Sequence, residues 1–272
     1  MKKRVTVLLL PVLLLCFFGI TSCGSKANKE QKKIMMEQKD TIESEIQSNI
    51  YPLPTSAEVI KMLSDYDVGY IFGITNSVEN AKKYFTSSAR AINMGVYGAD
   101  LSYTTLYNIQ QEVINYLDAI RSLATELNMS KIYDETLYDK IKENFDNRDE
   151  LVKILKGAFN DTYSYLAKND QQTLALLVVG GAWVEGMYLT THVSESAYNI
   201  AGISKNLIEQ KKSFEFFLEL AKPYESDPAI ADFVKKLDPI RKVYAGLTTS
   251  LTEQNIKDIT KAMEEVRDQI VQ

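Results

Sequence analysis

The chain has 272 residues, with 31 Lys and Arg against 36 Asp and Glu and a formal net charge of −5. That balance lacks the clustered basic charge through which nucleic acids and anionic lipid headgroups are bound. One histidine and two cysteines exclude a histidine cluster for metal, and 12 glycines with 6 prolines are few for a β-rich chain of this length.

Lys2, Lys3 and Arg4 open the sequence, and Val5 to Ile20 form an almost unbroken apolar run. Ile20-Thr21-Ser22-Cys23 ends the run with small residues before a cysteine. A run this short also suits a buried helix or a short anchor, but the basic start and small-residue end favour a signal segment. The pattern resembles a bacterial lipoprotein signal, in which cleavage precedes the cysteine and the cysteine thiol carries diacylglycerol.

The resemblance implies a signal peptide at 1–22, lipidation of Cys23, and a lipidated tether and helix-permissive linker at 23–50. It also implies a location. Gly24 stands where Asp marks inner-membrane retention, so the expected address is the outer membrane, facing the periplasm or the cell surface. Beyond the signal, the chain resembles in general character the uncharacterised all-helical lipoproteins of Bacteroidota-type bacteria.

Removing residues 1–22 takes away Cys16 and three positive charges, leaving 250 residues with a formal charge of −8. That length suits one large domain or two small ones. With Cys23 lipidated, no thiol remains for a nucleophile, a zinc–thiolate site, an iron–sulfur cluster or a disulfide. Attachment to the membrane then rests on acyl chains rather than on charge.

Tyr51-Pro52-Leu53-Pro54 interrupts any helix and starts the expected domain, 51–272. Thr55-x-x-Glu58 and Asn76-x-x-Glu79 have capping spacing. Ala81, Tyr84, Phe85, Ser88, Ala89 and Ile92 recur at helical steps, and the stripe resumes through Leu106, Val113, Ile114, Leu117 and Ile120. Leu137, Ile141 and Phe145 predict a short helix, and Leu151, Ile154, Leu155, Ala158, Phe159 and Thr162 a longer one. Thr173 to Val179 is continuously apolar, which predicts a central helix buried on all sides. Leu207, Phe214, Phe217, Leu218 and Ala221 form a stripe stopped by Pro223. Asp227-Pro228 begins another helix, which Pro239 kinks or splits. Ser250-x-x-Glu253 is the expected cap of the last helix, which carries Ile256, Ile259, Met263, Val266 and Ile270. The fold class is all-α: a multi-helix bundle.

Two segments look alike at an offset of 85 residues. Gly95, Asp100, Tyr103, Thr105 and Tyr107 align with Gly180, Glu185, Tyr188, Thr190 and His192. On a helix, positions i, i+3 and i+7 share a face, so Asp100, Tyr103 and Tyr107 line up, as do Glu185, Tyr188 and His192. Two such helices related by a pseudo-two-fold would bring two carboxylates together among tyrosines, with the glycines allowing close approach. Tyr97 and Trp183 add amphipathic rings at comparable places, suited to sugars, peptides or lipids but equally to helix packing.

These eight residues, Asp100, Tyr103, Tyr107, Glu185, Tyr188, His192, Tyr97 and Trp183, are the candidate ligand site. Acid–tyrosine pairs also serve as internal hydrogen bonds that join helices without touching a ligand. No glycine-rich phosphate loop, nucleophile elbow or His-Glu-x-x-His motif is present, and no cofactor is expected. The expected function is a non-enzymatic, lipid-anchored envelope protein that binds a small molecule or envelope protein and no nucleic acid. A hydrolase or metal-assisted enzyme using Asp100, Glu185 and His192 is one alternative, and it needs those side chains to converge on a solvent-reachable pocket. A structural role in envelope assembly is the other.

Overall fold

The computed structural model describes residues 69–195, 203–247 and 251–272, all within the compact unit Glu43–Gln272. The signal segment, Cys23, the tether, the Tyr51–Pro54 breaker, the Thr55 cap and Ser250 lie outside the described residues. Those described are mostly helical and contain no strand. The chain is an all-α multi-helix bundle.

A non-helical strap, residues 69–77, leads into a short 3-10 helix, Val78–Lys83. The helix face expected from Ala81 onward is broken here. Ser77, not Asn76, caps the 3-10 turn, and Thr86 starts helix α1, Ser87–Leu106, by accepting the Ala89 N–H. Phe85 falls between the two elements and is 78% exposed rather than in the core. The stripe expected to run on through Leu106 is also interrupted. Asn108 adopts a left-handed φ of 56°, and helix α2 begins afresh at Gln110–Glu126.

Helix α3, Glu135–Glu143, is capped by Asp134, and α4, Arg148–Lys168, by Asn147. Helix α5, Gln172–Glu195, is the axis of the bundle, and its buried residues run almost without a break from Ala175 to Thr191. Among the described residues it alone is long and apolar enough to cross a membrane, yet 83% of its apolar window is buried by its neighbours. Burial on every side explains why no single apolar face could be read in it.

Helix α6, Ile203–Ala221, ends before a 3-10 turn containing Pro223. Asp227 caps α7, Pro228–Lys236, with Pro228 in the first turn. Pro239 splits rather than kinks: α8 starts at Asp238 and runs to Ala245. Thr252 and Asn255 form the capping box of α9, Glu253–Val271, in place of the expected Ser250 and Glu253. Thr252 is the last residue before the helix with an extended backbone, the conformation an N-cap requires.

Helices α1 and α5 pack most extensively on one another, and α2, α4 and α9 pack around them. The reason for the closeness of α1 and α5 is steric. A Cβ placed on Gly95 would lie 2.0 Å from the Val178 carbonyl oxygen, and one on Gly181 would lie 2.0 Å from the Ile92 carbonyl oxygen. The two contacts are reciprocal, since Gly95 and Gly181, like Ile92 and Val178, are 86 residues apart. The steric counterpart of Gly95 is therefore Gly181. Gly180, its partner in the sequence alignment, faces Phe217 and Phe233 instead.

Candidate functional site

Asp100 on α1 and Glu185 on α5 lie one to two turns beyond the glycine contact, and both are 0% exposed. The Asp100 carboxyl stands within hydrogen-bonding reach of Glu185. Its Oδ2 accepts the Asn76 backbone N–H at 3.2 Å, whereas its Oδ1 receives no donor. Glu185 is gripped from a third helix. Arg267 of α9 donates Nε–H to Oε2 at 2.7 Å and Nη2–H to Oε1 at 2.9 Å, and Nη2 also donates to the Ile74 carbonyl at 3.3 Å.

The electrostatics follow from burial. Desolvation, then the neighbouring Glu185, pushes the Asp100 carboxyl well above the usual carboxylate range, against the pull of Arg267. Burial disfavours the Arg267 charge, but the Glu185 carboxylate overcomes this and keeps the guanidinium firmly protonated. The Arg267 guanidinium also lies over the Tyr188 ring, 4.0 Å from its centroid.

Each look-alike face holds a different neighbour. On α1, Asp100 binds the strap at Asn76, and Tyr103 accepts the Ile71 N–H at 2.9 Å while stacking on Tyr70. Tyr107 packs edge-on to Tyr70 and Tyr103. On α5, Glu185 and Tyr188 meet Arg267, and His192 meets Glu264 one turn earlier on α9, with Nε2 and Oε1 3.1 Å apart. The first face thus docks the strap and the second docks α9.

Three further tyrosine hydroxyls meet the strap. Tyr97 donates to the Ser77 carbonyl at 2.9 Å and Tyr116 to the Asn76 carbonyl at 3.1 Å. Asn76 Nδ2 donates to Tyr84 Oη at 3.0 Å, and Tyr84 donates to the Val271 carbonyl at 3.0 Å. Trp183 is directed elsewhere: its Nε1–H donates to Gln210 of α6 at 3.1 Å, and its ring stacks on Phe214.

Asp100 and Glu185 therefore converge, and His192 does not join them. The acids are sealed from solvent, and His192 is spent on Glu264 at the bundle edge. No group of three His, Cys, Asp or Glu side chains able to hold a metal occurs among the described residues. The residues that sequence reasoning missed are Arg267, Asn76 and Tyr116. Arg267 carried a readable signal, because it sits on the apolar stripe of α9 beside Met263, Val266 and Ile270. A lone guanidinium on an apolar face points to a buried acid.

A separate concavity opens between α8 and α9. It has a volume of about 480 Å³, with Val243, Leu247 and Ala262 as apolar lining and Lys242, Lys261 and Glu265 at its edges. That volume lies within the range of small-ligand sites. Sequence reasoning named none of its residues. No protein-family model, curated protein or solved structure matches this chain.

Proposed function

We propose that this chain is a lipid-anchored cell-envelope protein whose helical body binds a small molecule or an envelope protein without catalysing a reaction. The observation that carries the reading is the basic, then apolar, then small-residue segment from Lys2 to Cys23. Diacylglycerol on Cys23 would hold the acidic body at the membrane, where its surface charge would not. The geometry favours binding over catalysis. The carboxylates that could act as acid and base are closed off from any substrate and bound to Arg267 and Asn76, so their visible work is to join α1, α5, α9 and the strap. Binding is assigned to the α8–α9 groove rather than to the eight residues first suggested by the sequence.

The test is Cys23→Ala in the full chain, expressed in a bacterial host with labelled palmitate. Loss of label together with release from the membrane fraction is expected. Undiminished membrane association in detergent-free lysates would sink the anchoring reading.

A further inference from the structure

We propose that Asp100, Glu185 and Arg267 form a proton-held clasp, in which Asp100 keeps its hydrogen, donates it from Oδ1 to Glu185, and so holds the strap closed over the bundle. The donors around Asp100 require it. From the strap, the Asn76 N–H goes to Oδ2, and Tyr70 comes close enough to feel the acid's charge. From its own helix and from α2, Tyr97 and Tyr116 come close enough to feel its charge, but both hydroxyls are committed to strap carbonyls. From α5 comes Glu185, and from α9 comes Arg267, whose guanidinium is spent on Glu185 and Ile74. Oδ1 is left buried with no hydrogen donated to it.

Charge counting gives the same answer. One guanidinium balances one carboxylate, and a second negative charge at 0% exposure would stand uncompensated. A hydrogen on Asp100 Oδ1 removes that charge and supplies a donor to a lone pair of Glu185. Burial and the adjacent acid both favour this protonated form.

The consequence is directional. When the proton leaves to solvent, the new carboxylate must be hydrated. Helices α1 and α5 cannot part to admit water without breaking the backbone contact at Gly95 and Gly181. The strap is the part that can move, because up to Ser77 it has no helix of its own and is held by separate side-chain contacts: Ile71 to Tyr103, Asn76 to Asp100 and Tyr84, Arg267, Tyr116 and Tyr97 to its carbonyls, and Tyr70 stacked on Tyr103. Alkaline pH therefore opens the strap while the bundle stays folded.

Hydrogen exchange followed by mass spectrometry on the full chain tests this, with protection factors corrected for intrinsic exchange between about pH 6 and about pH 10. Protection over residues 70–77 is expected to fall by up to about tenfold per pH unit, the limit for one proton. Protection in the interior of α1 and α5 should stay far above that of the strap at every pH, falling only as overall stability falls, because the bundle remains folded when the strap opens. Asp100→Asn, whose amide donates as the acid does but does not titrate, should keep the strap protected across the range. A strap whose protection is independent of pH in the parent chain, or falls equally in a folded Asp100→Asn variant, overturns the clasp. If that variant does not fold, infrared spectra of the parent decide: a protonated carboxylic-acid band near neutral pH that disappears as the strap opens supports the clasp, and its absence overturns it.

Discussion

Gly95 and Gly181 each lie against the backbone of the other's helix, in a reciprocal pair of contacts. In both, an added Cβ would lie 2.0 Å from a carbonyl oxygen, a contact no rotamer change can relieve. Gly95→Ala and Gly181→Ala should each destabilise the chain, by about 1–3 kcal/mol or more, the usual cost of overpacking a core. Urea denaturation checks this. The glycine three residues on gives the control. A Cβ on Gly98 meets nothing within 4 Å, so Gly98→Ala should stabilise by up to about 1 kcal/mol through helix propensity. A similar loss at all three positions would contradict the close helix crossing.

Arg267→Met leaves Glu185 buried without its partner, which should cost about 3–5 kcal/mol. Adding Glu185→Gln should recover much of that loss, since the uncompensated charge is gone. A double-mutant cycle measures the coupling. Additive effects would mean that the bidentate pair is not made in solution.

The pH dependence of overall stability has a fixed sign. Folding raises the Asp100 pKa above its unfolded value of about 3.9. Its contribution is thus complete below about pH 4 and is lost as pH rises through the folded-state value, at up to about 1.4 kcal/mol per unit. Asp100→Asn should gain stability relative to the parent as pH increases over that window. Denaturation midpoints that differ by a constant amount at every pH would refute this.

Tyr103→Phe removes the acceptor for the Ile71 N–H and keeps the ring stack on Tyr70. A loss of about 1 kcal/mol is expected, the ordinary worth of one hydrogen bond. It should appear as faster exchange in the strap rather than in α1. Uniform destabilisation would mean that Tyr103 supports the helix core instead.

Much of the fold was legible because the signals are local. Asp227-Pro228 names a helix start by its cap and its preset φ, and Pro239 marks a break because it cannot donate into the preceding turn. The stripe from Ile256 to Ile270 repeats at helical spacing and is buried as that spacing requires. The boundary at Thr86 was misread because Phe85 continues an apolar rhythm that the backbone does not follow. The expected last cap differs because Ser250 and Thr252 both offer hydroxyls at capping spacing, and the structure forms the capping box from Thr252 and Asn255.

The sequence by itself determined that Asp100, Tyr103 and Tyr107 share one helix face and Glu185, Tyr188 and His192 another, since helical spacing needs no tertiary information. Tertiary structure alone decided what those faces do. The strap lies 24 residues before Asp100 and Arg267 lies 82 residues after Glu185, and no local pattern encodes pairings at such separations. The glycine pair carries the same lesson. Sequence likeness matched Gly95 with Gly180, but the side of the helix facing α1 belongs to Gly181, and only the packed backbones choose between neighbours one residue apart.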